Sequence, residues 1–129
     1  MKVSKKMQYG LRAMVYLAKF FSRKKIVALK TISQKEGIPF NFLEKIIAEI
    51  EKAGLVKAKR GIQGGYFLTR DPKDITVKEI MRILEKTTEL APCRGCKKAR
   101  KCLAKNAWKK VENSLNAALD SITLKSLVE

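Results

Sequence analysis

The chain contains no histidine, so the usual general base of enzymes and the usual partner of cysteine in mixed zinc sites are both absent. Acidic residues are also scarce, with 12 Asp and Glu against 29 Lys and Arg, and the first acid along the chain is Glu36. The resulting formal charge of +17 attracts polyanions, so nucleic acid or an anionic membrane surface is the expected partner. A solvated lysine-rich surface is the alternative, but such surfaces usually balance lysine with glutamate.

No apolar run is long enough to cross a membrane, and no signal-peptide pattern precedes the first helix. We therefore expect a cytoplasmic protein with no membrane partner. A length of 129 residues, of which 46% are hydrophobic, predicts one globular unit with a modest core.

The strongest pattern lies between Ile38 and Arg70, where a helical segment is followed by a hairpin. The apolar residues of the helix recur at the spacing of one buried face, at Leu43, Ile46, Ile47 and Ile50. Pro39 suits the first helical turn, and Gly54 suits the residue just past the end.

Two short runs with strand character follow this helix, at residues 55–59 and 66–69, and a glycine-rich loop joins them. A helix followed by a basic hairpin is typical of a winged helix-turn-helix. In that fold the helix enters the major groove of DNA while the hairpin, or wing, contacts the backbone or the minor groove.

Four further elements are predicted from capping residues and apolar periodicity: a helix over 4–21, a short strand over 27–29, and helices over 31–36 and 74–85. The strand is expected to pair with the hairpin. Ser4 should cap the first helix, and Gly37 should end the second one. Thr76 and Glu79 fit a capping box at the start of the helix predicted over 74–85.

From Leu103 onward a long amphipathic helix is predicted. Within a small winged domain, only the first helix could serve as its packing partner. Its predicted dimer interface comprises Trp108, Val111, Leu115 and Leu119. The alternative is a helix folded back onto the core of its own protomer.

The predicted fold of the whole chain is mainly α with a small β-hairpin wing. Residues 1–86 form the DNA-binding domain, 87–102 a cysteine-rich loop, and 103–129 the dimerisation helix and C-terminal segment.

The three cysteines, Cys93, Cys96 and Cys102, stand close together as Cys-x2-Cys-x5-Cys among basic residues. An odd, clustered set in a cytoplasmic chain indicates metal or redox chemistry rather than a disulfide framework. Soft thiolate ligands favour an iron–sulfur cluster. Structural zinc and a cluster-free thiol switch stay open as alternatives, whereas a thiol oxidoreductase lacks the usual strand-then-helix setting and a general base.

Several motifs together resemble the Rrf2 family of winged-helix transcriptional regulators. They include Tyr9-Gly10-Leu11-Arg12-Ala13-Met14, Lys52-Ala53-Gly54-Leu55-Val56 and the wing Arg60-Gly61-Ile62-Gln63-Gly64-Gly65-Tyr66, and the likeness covers essentially the whole chain. The resemblance implies a homodimeric regulator, usually a repressor, that reads a palindromic operator. It also implies a 2Fe–2S or 4Fe–4S cluster on the cysteines, through which iron–sulfur, redox or nitric-oxide status is sensed.

The resemblance places Asn41, Glu44 and Arg60 at positions of base reading and wing contact. The full set of predicted DNA contacts is Lys5, Asn41, Glu44, Lys45, Arg60, Gly61, Gln63, Gly64 and Gly65. The fourth cluster ligand differs from the family's patterns. Lys105 stands where one branch carries a histidine, and Gln8 lies near the place where another branch supplies a carboxylate.

Overall fold

The computed structural model describes residues 2–85, 96–97 and 100–129. Within these ranges the chain forms six α-helices and one two-stranded antiparallel hairpin, with a short 3-10 turn at residues 72–74. In chain order they are α1 (Lys5–Lys19), α2 (Leu29–Glu36), α3 (Phe40–Lys52), β1 (Val56–Lys59), β2 (Gly65–Leu68), α4 (Val77–Glu85), α5 (Lys105–Ser121) and α6 (Leu124–Val128). The predicted fold class, mainly helical with a small wing, is confirmed.

Helix α1 begins where its capping residue predicted, because the Ser4 Oγ accepts a hydrogen bond from the Met7 amide at 3.1 Å. The Ser4 hydroxyl also donates to the carboxylate of Glu85, which ties the start of α1 to the end of α4. The helix ends at Lys19, before the predicted end at Phe21, because the backbone leaves the helical region at the C-cap.

Helix α4 is capped by Thr76, whose Oγ1 accepts from the Glu79 amide at 3.1 Å. The Glu79 carboxylate pairs with Arg70. The predicted start at Asp74 is wrong, because the preceding residues form the 3-10 turn, which Asp71 caps by accepting from the Lys73 amide at 2.9 Å.

Helix α2 begins at Leu29, earlier than the predicted Thr31, because Ala28 serves as the N-cap without any side-chain hydrogen bond and so leaves no polar signal in the sequence. Gly37 ends the helix in the left-handed conformation, with φ of 65°. The turn to α3 is closed by two hydrogen bonds. The Ile38 amide donates to the Ser33 carbonyl at 3.0 Å, and the Ser33 hydroxyl donates to the Ile38 carbonyl at 2.5 Å.

The apolar face of α3 is fully buried, as its periodicity predicted. Leu43, Ile46, Ile47 and Ile50 each have a relative exposure of 0%, and α3 contacts α1, α2 and α4. Burying a large aliphatic side chain stabilises the fold by roughly 1.5–3 kcal/mol. The four side chains therefore fix α3 firmly in one rotational setting.

The wing is a regular hairpin in which Val56 faces Leu68 and Lys59 faces Gly65. The predicted strand at 27–29 is wrong in its length, because Leu29 already belongs to α2. Only Val27 pairs with the hairpin: its amide donates to the Tyr66 carbonyl at 3.0 Å and its carbonyl accepts from the Tyr66 amide at 2.8 Å.

The C-terminal part contains two helices, because the chain becomes extended at Ile122. Two hydrogen bonds fasten this break to the start of α4. The Val77 amide donates to the Ile122 carbonyl at 2.9 Å, and the Leu124 amide donates to the Ile75 carbonyl at 3.0 Å. Helix α6 lies against α1 with Leu124 in the core, while α5 packs against α4.

Among the helices in the described residues, none is both long and apolar enough to cross a bilayer.

The close approach of Gly65 to the backbone of Val27 predicts a local effect of Gly65→Ala. An added Cβ would lie 2.4 Å from the Val27 carbonyl oxygen and 2.5 Å from its carbon, so the bridge to Tyr66 must open. We expect a loss of about 1–3 kcal/mol in the free energy of unfolding, with faster hydrogen exchange at the Val27 and Tyr66 amides.

Gly37→Ala is the matched control, because it meets no atom within 4 Å and carries only the strain of its left-handed backbone. It should destabilise the protein without changing exchange at those two amides relative to the rest of the sheet. Unchanged protection of both amides in Gly65→Ala would contradict the assignment.

Candidate nucleic-acid interface and cysteine segment

Helix α3 presents a continuous exposed face opposite its buried one. The residues on this face are Asn41, Glu44, Lys45 and Ala48, which follow the i, i+3, i+4, i+7 spacing of one helical stripe. Asn41, Glu44 and Lys45 are predicted DNA contacts, and the structure brings them together on this stripe. Ala48 completes it and was not predicted, although the same periodicity could have identified it.

The wing carries an exposed cationic edge that leads to its tip. Lys57 and Lys59 of β1 and the following Arg60 are all exposed. At the tip, Gly61 adopts a φ of 119° and its carbonyl accepts from the Gly64 amide at 3.0 Å. The tip is therefore a tight turn, which presents Arg60 to solvent at its base.

Three further tip residues differ in their exposure. Gln63 is exposed, whereas Gly64 and Gly65 are half-buried, so the glycines can act only through their backbone. Ile62, which the sequence did not single out, has a relative exposure of 105%. An isolated apolar side chain exposed in a basic loop cannot be identified from apolar periodicity.

The wing is docked beside α3. The Thr69 hydroxyl donates to the Gly54 carbonyl at 2.6 Å, and the Thr69 amide donates to the Leu55 carbonyl at 3.0 Å. Burial raises the pKa of the Tyr66 hydroxyl above its ordinary value of 10.0, and the negative charges of Glu51 and then Glu44 add to this effect. The exposed stripe of α3 and the wing therefore lie within electrostatic reach of each other.

The start of α1 adds a basic and aromatic cluster next to α3. The Tyr9 ring meets the Phe42 ring edge-on at 5.6 Å between centroids, and the Lys5 Nζ lies 5.7 Å from the Tyr9 centroid. Lys6 instead pairs with Glu49, its Nζ lying 2.8 Å from a carboxylate oxygen. Lys5, a predicted DNA contact, is the exposed basic member of this cluster.

The three predicted metal ligands are only partly within the described residues. Cys93 lies outside them, Cys96 is exposed and Cys102 is half-buried, and both described cysteines are free thiols. Of the residues described, no group of three candidate ligands surrounds a common point. The Lys105 amide donates to the Cys102 carbonyl at 3.4 Å, so Cys102 is joined directly to the first residue of α5.

The chemistry of this donor set fits a thiolate-bound cluster. The segment supplies sulfur donors and no imidazole, and helix α5 begins just after Cys102. Of the two positions that differ from the family's ligand patterns, Lys105 is exposed, and the Gln8 amide nitrogen donates to the Val3 carbonyl at 2.9 Å.

Helix α5 has no buried residue in the described chain. Trp108 and Val111 have relative exposures of 49% and 41%, while Leu115 and Leu119 on the same face are half-buried. The predicted interface residues thus share one face, which the protomer itself covers only in part.

A helix-turn-helix with a polar exposed stripe, flanked by a docked cationic hairpin, defines the class of winged-helix DNA-binding regulators. Comparison with known proteins narrows this class. A family model described as Rrf2, iron-dependent transcriptional regulator, matches residues 3–129. The chain belongs to the Rrf2 family; it is a transcriptional regulator and not an enzyme.

Individual relatives support the same assignment. The HTH-type transcriptional regulator IscR of Vibrio atlanticus strain LGP32 is 32% identical over 100% of this chain and 76% of its own length. Among solved structures, T. potens IscR is 41% identical, with a TM-score of 0.82 over 99% of this chain and 86% of its own. CymR, the global cysteine regulator of B. subtilis, is 32% identical, with a TM-score of 0.85 over 99% and 96% of the two chains.

Proposed function

We propose that this chain acts as a homodimeric repressor that binds a palindromic operator and senses its signal through an iron–sulfur cluster held by the cysteine segment. The proposal is carried chiefly by the burial of the apolar face of α3, which leaves Asn41, Glu44 and Lys45 exposed beside a cationic wing. Polar side chains on an exposed helix can read base edges, while lysine and arginine neutralise phosphates.

The residues divide among three recognition tasks. Asn41 can donate to and accept from adenine, and Glu44 can accept from the cytosine amino group, both in the major groove. Arg60, at the base of the wing tip, can enter a narrow minor groove, where the negative potential is strongest. Lys5 and Lys45 contact phosphates and fix the register of the protein on the duplex.

The cysteine segment is proposed to hold the cluster through Cys93, Cys96 and Cys102, with a fourth ligand from outside this set. A bound cluster supplies a centre that oxidants or nitric oxide can alter. The chain's own contribution is to connect that centre to α5, since the Cys102 carbonyl accepts from the Lys105 amide. Likeness to IscR supports a cluster; likeness to CymR, a global cysteine regulator, favours a cluster-free thiol mechanism as the second candidate.

Two copies are proposed to meet through α5. The face formed by Trp108, Val111, Leu115 and Leu119 is apolar and only partly covered within the protomer, which makes it a suitable two-fold interface. A dimer would present two α3 helices, as a palindromic operator requires.

Arg60→Ala tests the wing. An operator duplex obtained by selection from random sequences should bind about 1–3 kcal/mol more weakly in the variant, measured by fluorescence anisotropy at fixed salt. Lys110→Ala in α5 removes the same charge at an exposed position and should change operator affinity much less. If Arg60→Ala weakens operator and scrambled duplexes equally, Arg60 contacts phosphate only.

Anaerobic purification tests the cysteine segment. The parent protein should show visible sulfur-to-iron absorption and bound iron, and Cys96→Ser or Cys102→Ser should lose both while staying folded by circular dichroism. Lys97→Ala, in the same segment, is the control that should keep the colour. A colourless parent protein containing zinc, or no metal and reversible disulfides, would replace the cluster by one of the two alternatives.

Val111→Lys tests the dimer. In a two-fold interface each new lysine would face the partner's apolar surface or the partner's own new lysine. The dimer dissociation constant should therefore rise by at least about tenfold. Asn113→Lys adds the same charge to an exposed position on the opposite side of α5 and should leave the constant unchanged. Equal behaviour of both variants in sedimentation equilibrium would remove α5 from the interface.

A further inference from the structure

A cleft of about 450 Å³ lies behind the wing, between the end of α1, the loop that follows it and strand β2. Its size falls within the range of small-molecule sites, roughly 300–1,000 Å³. The residues that line it are Leu17, Phe21, Ser22, Lys24, Lys25, Ile26, Phe67 and Leu68. None of them belongs to the proposed DNA contacts, the cysteine segment or the proposed dimer face.

The lining has two chemically different parts. Five of the eight residues are apolar and the other three are one serine and two lysines, so the lining contains cations and no carboxylate. A ligand that suits both parts carries an apolar body and an anionic head. A cation would be repelled by the lysines, and a fully polar anion would leave the apolar walls uncovered.

Of the two lysines, Lys24 has the more unusual backbone conformation. Its φ of 50° is a left-handed conformation that residues other than glycine rarely adopt, and its amide donates to the Phe21 carbonyl at 3.0 Å. Lys25 already lies over the Phe20 ring, with 4.9 Å from Nζ to the centroid. In the described part of the chain the Lys24 ammonium makes no ion pair, so it is the group assigned to an anionic head.

The cleft spans the joint between the wing and the body of the protein. Phe67 and Leu68 follow Tyr66 on β2, Ile26 precedes Val27, and Tyr66 and Val27 form the two hydrogen bonds that dock the wing. An occupant would therefore contact both sides of the joint at once.

We propose that this cleft binds a small amphipathic carboxylate, with the carboxylate at Lys24 and the apolar body against Phe21, Ile26 and Phe67. Occupancy stabilises the docked position of the wing and so changes operator binding; this second part rests on the proposed function. The binding step itself does not depend on DNA.

Octanoate, octanol and octylammonium are matched probes because they share one chain and differ in the head group. In ¹H–¹⁵N spectra of the full-length protein below the micellar concentration, octanoate should shift amides of the cleft and bind at least tenfold more tightly than octanol. Octylammonium should bind least. Shifts spread over α5, or equal affinity for the three probes, would overturn the proposal.

Lys24→Asn removes the charge while keeping a residue that tolerates the left-handed backbone, and it should weaken octanoate about tenfold without weakening octanol. Lys73→Asn makes the same charge change at an exposed site outside the cleft and should leave octanoate affinity unchanged. Unaltered octanoate binding in Lys24→Asn would overturn the assignment of the carboxylate to Lys24.

The coupling to the wing is measured separately, as the change in operator affinity on saturation with octanoate. A change in the parent protein that is lost in Lys24→Asn supports coupling. If operator affinity stays the same although octanoate occupies the cleft, the coupling is overturned but the binding site is not. Absence of specific DNA binding with intact octanoate binding would instead count against the proposed function.

Discussion

The burial of one face of α3 is the constraint on which the rest of the structure depends. Four aliphatic side chains of that helix are completely inaccessible, held between α1, α2 and α4. A helix fixed along its whole apolar stripe cannot rotate without exposing it, so the opposite stripe is equally fixed in direction. The orientation of Asn41, Glu44 and Lys45 is therefore a consequence of hydrophobic packing rather than of any contact that these side chains make themselves.

The wing depends on a weaker attachment. It has only two strands, and a hairpin of that size is marginally stable alone. Its position is set by the burial of Val56 and Leu68 in the core, by the paired hydrogen bonds between Val27 and Tyr66, and by the contact of Thr69 with Gly54. The strands of the wing bury two side chains where α3 buries four, so the wing is held by less hydrophobic packing than the helix.

Local signals in the sequence predicted the recognition unit well. The spacing of Leu43 to Ile50, the glycine at 37 and the cap at Ser4 each report a constraint that acts within a few residues. Boundaries were wrong where no polar residue marks them, as at Ala28, or where a 3-10 turn replaces the first helical turn before Thr76.

The features that the sequence did not predict arise from contacts between distant segments. The cleft behind the wing joins the end of α1 to β2, and neither segment alone carries a pattern that indicates a ligand. Likewise, α5 finds its neighbour in α4 through backbone bonds at Ile122 and Leu124, and apolar periodicity cannot specify which helix a given face will meet. The roles of the cysteines and of the DNA-facing residues stay predictions.

These attachments also indicate how a signal in the cysteine segment would reach α3. The segment follows α4, whose last residue Glu85 is bonded to Ser4 at the start of α1, and it leads into α5 through the Cys102 carbonyl. The far end of α5 is fastened to the start of α4 by the two backbone hydrogen bonds around Ile122 and Leu124. Helix α4 packs against α5, α1 and α3. A displacement of α5 would therefore act on α4, the helix that supports the recognition helix α3. On the proposed function, a chemical change at the cysteines would thus act by moving α3 as a rigid body, because its packing leaves it no freedom to turn.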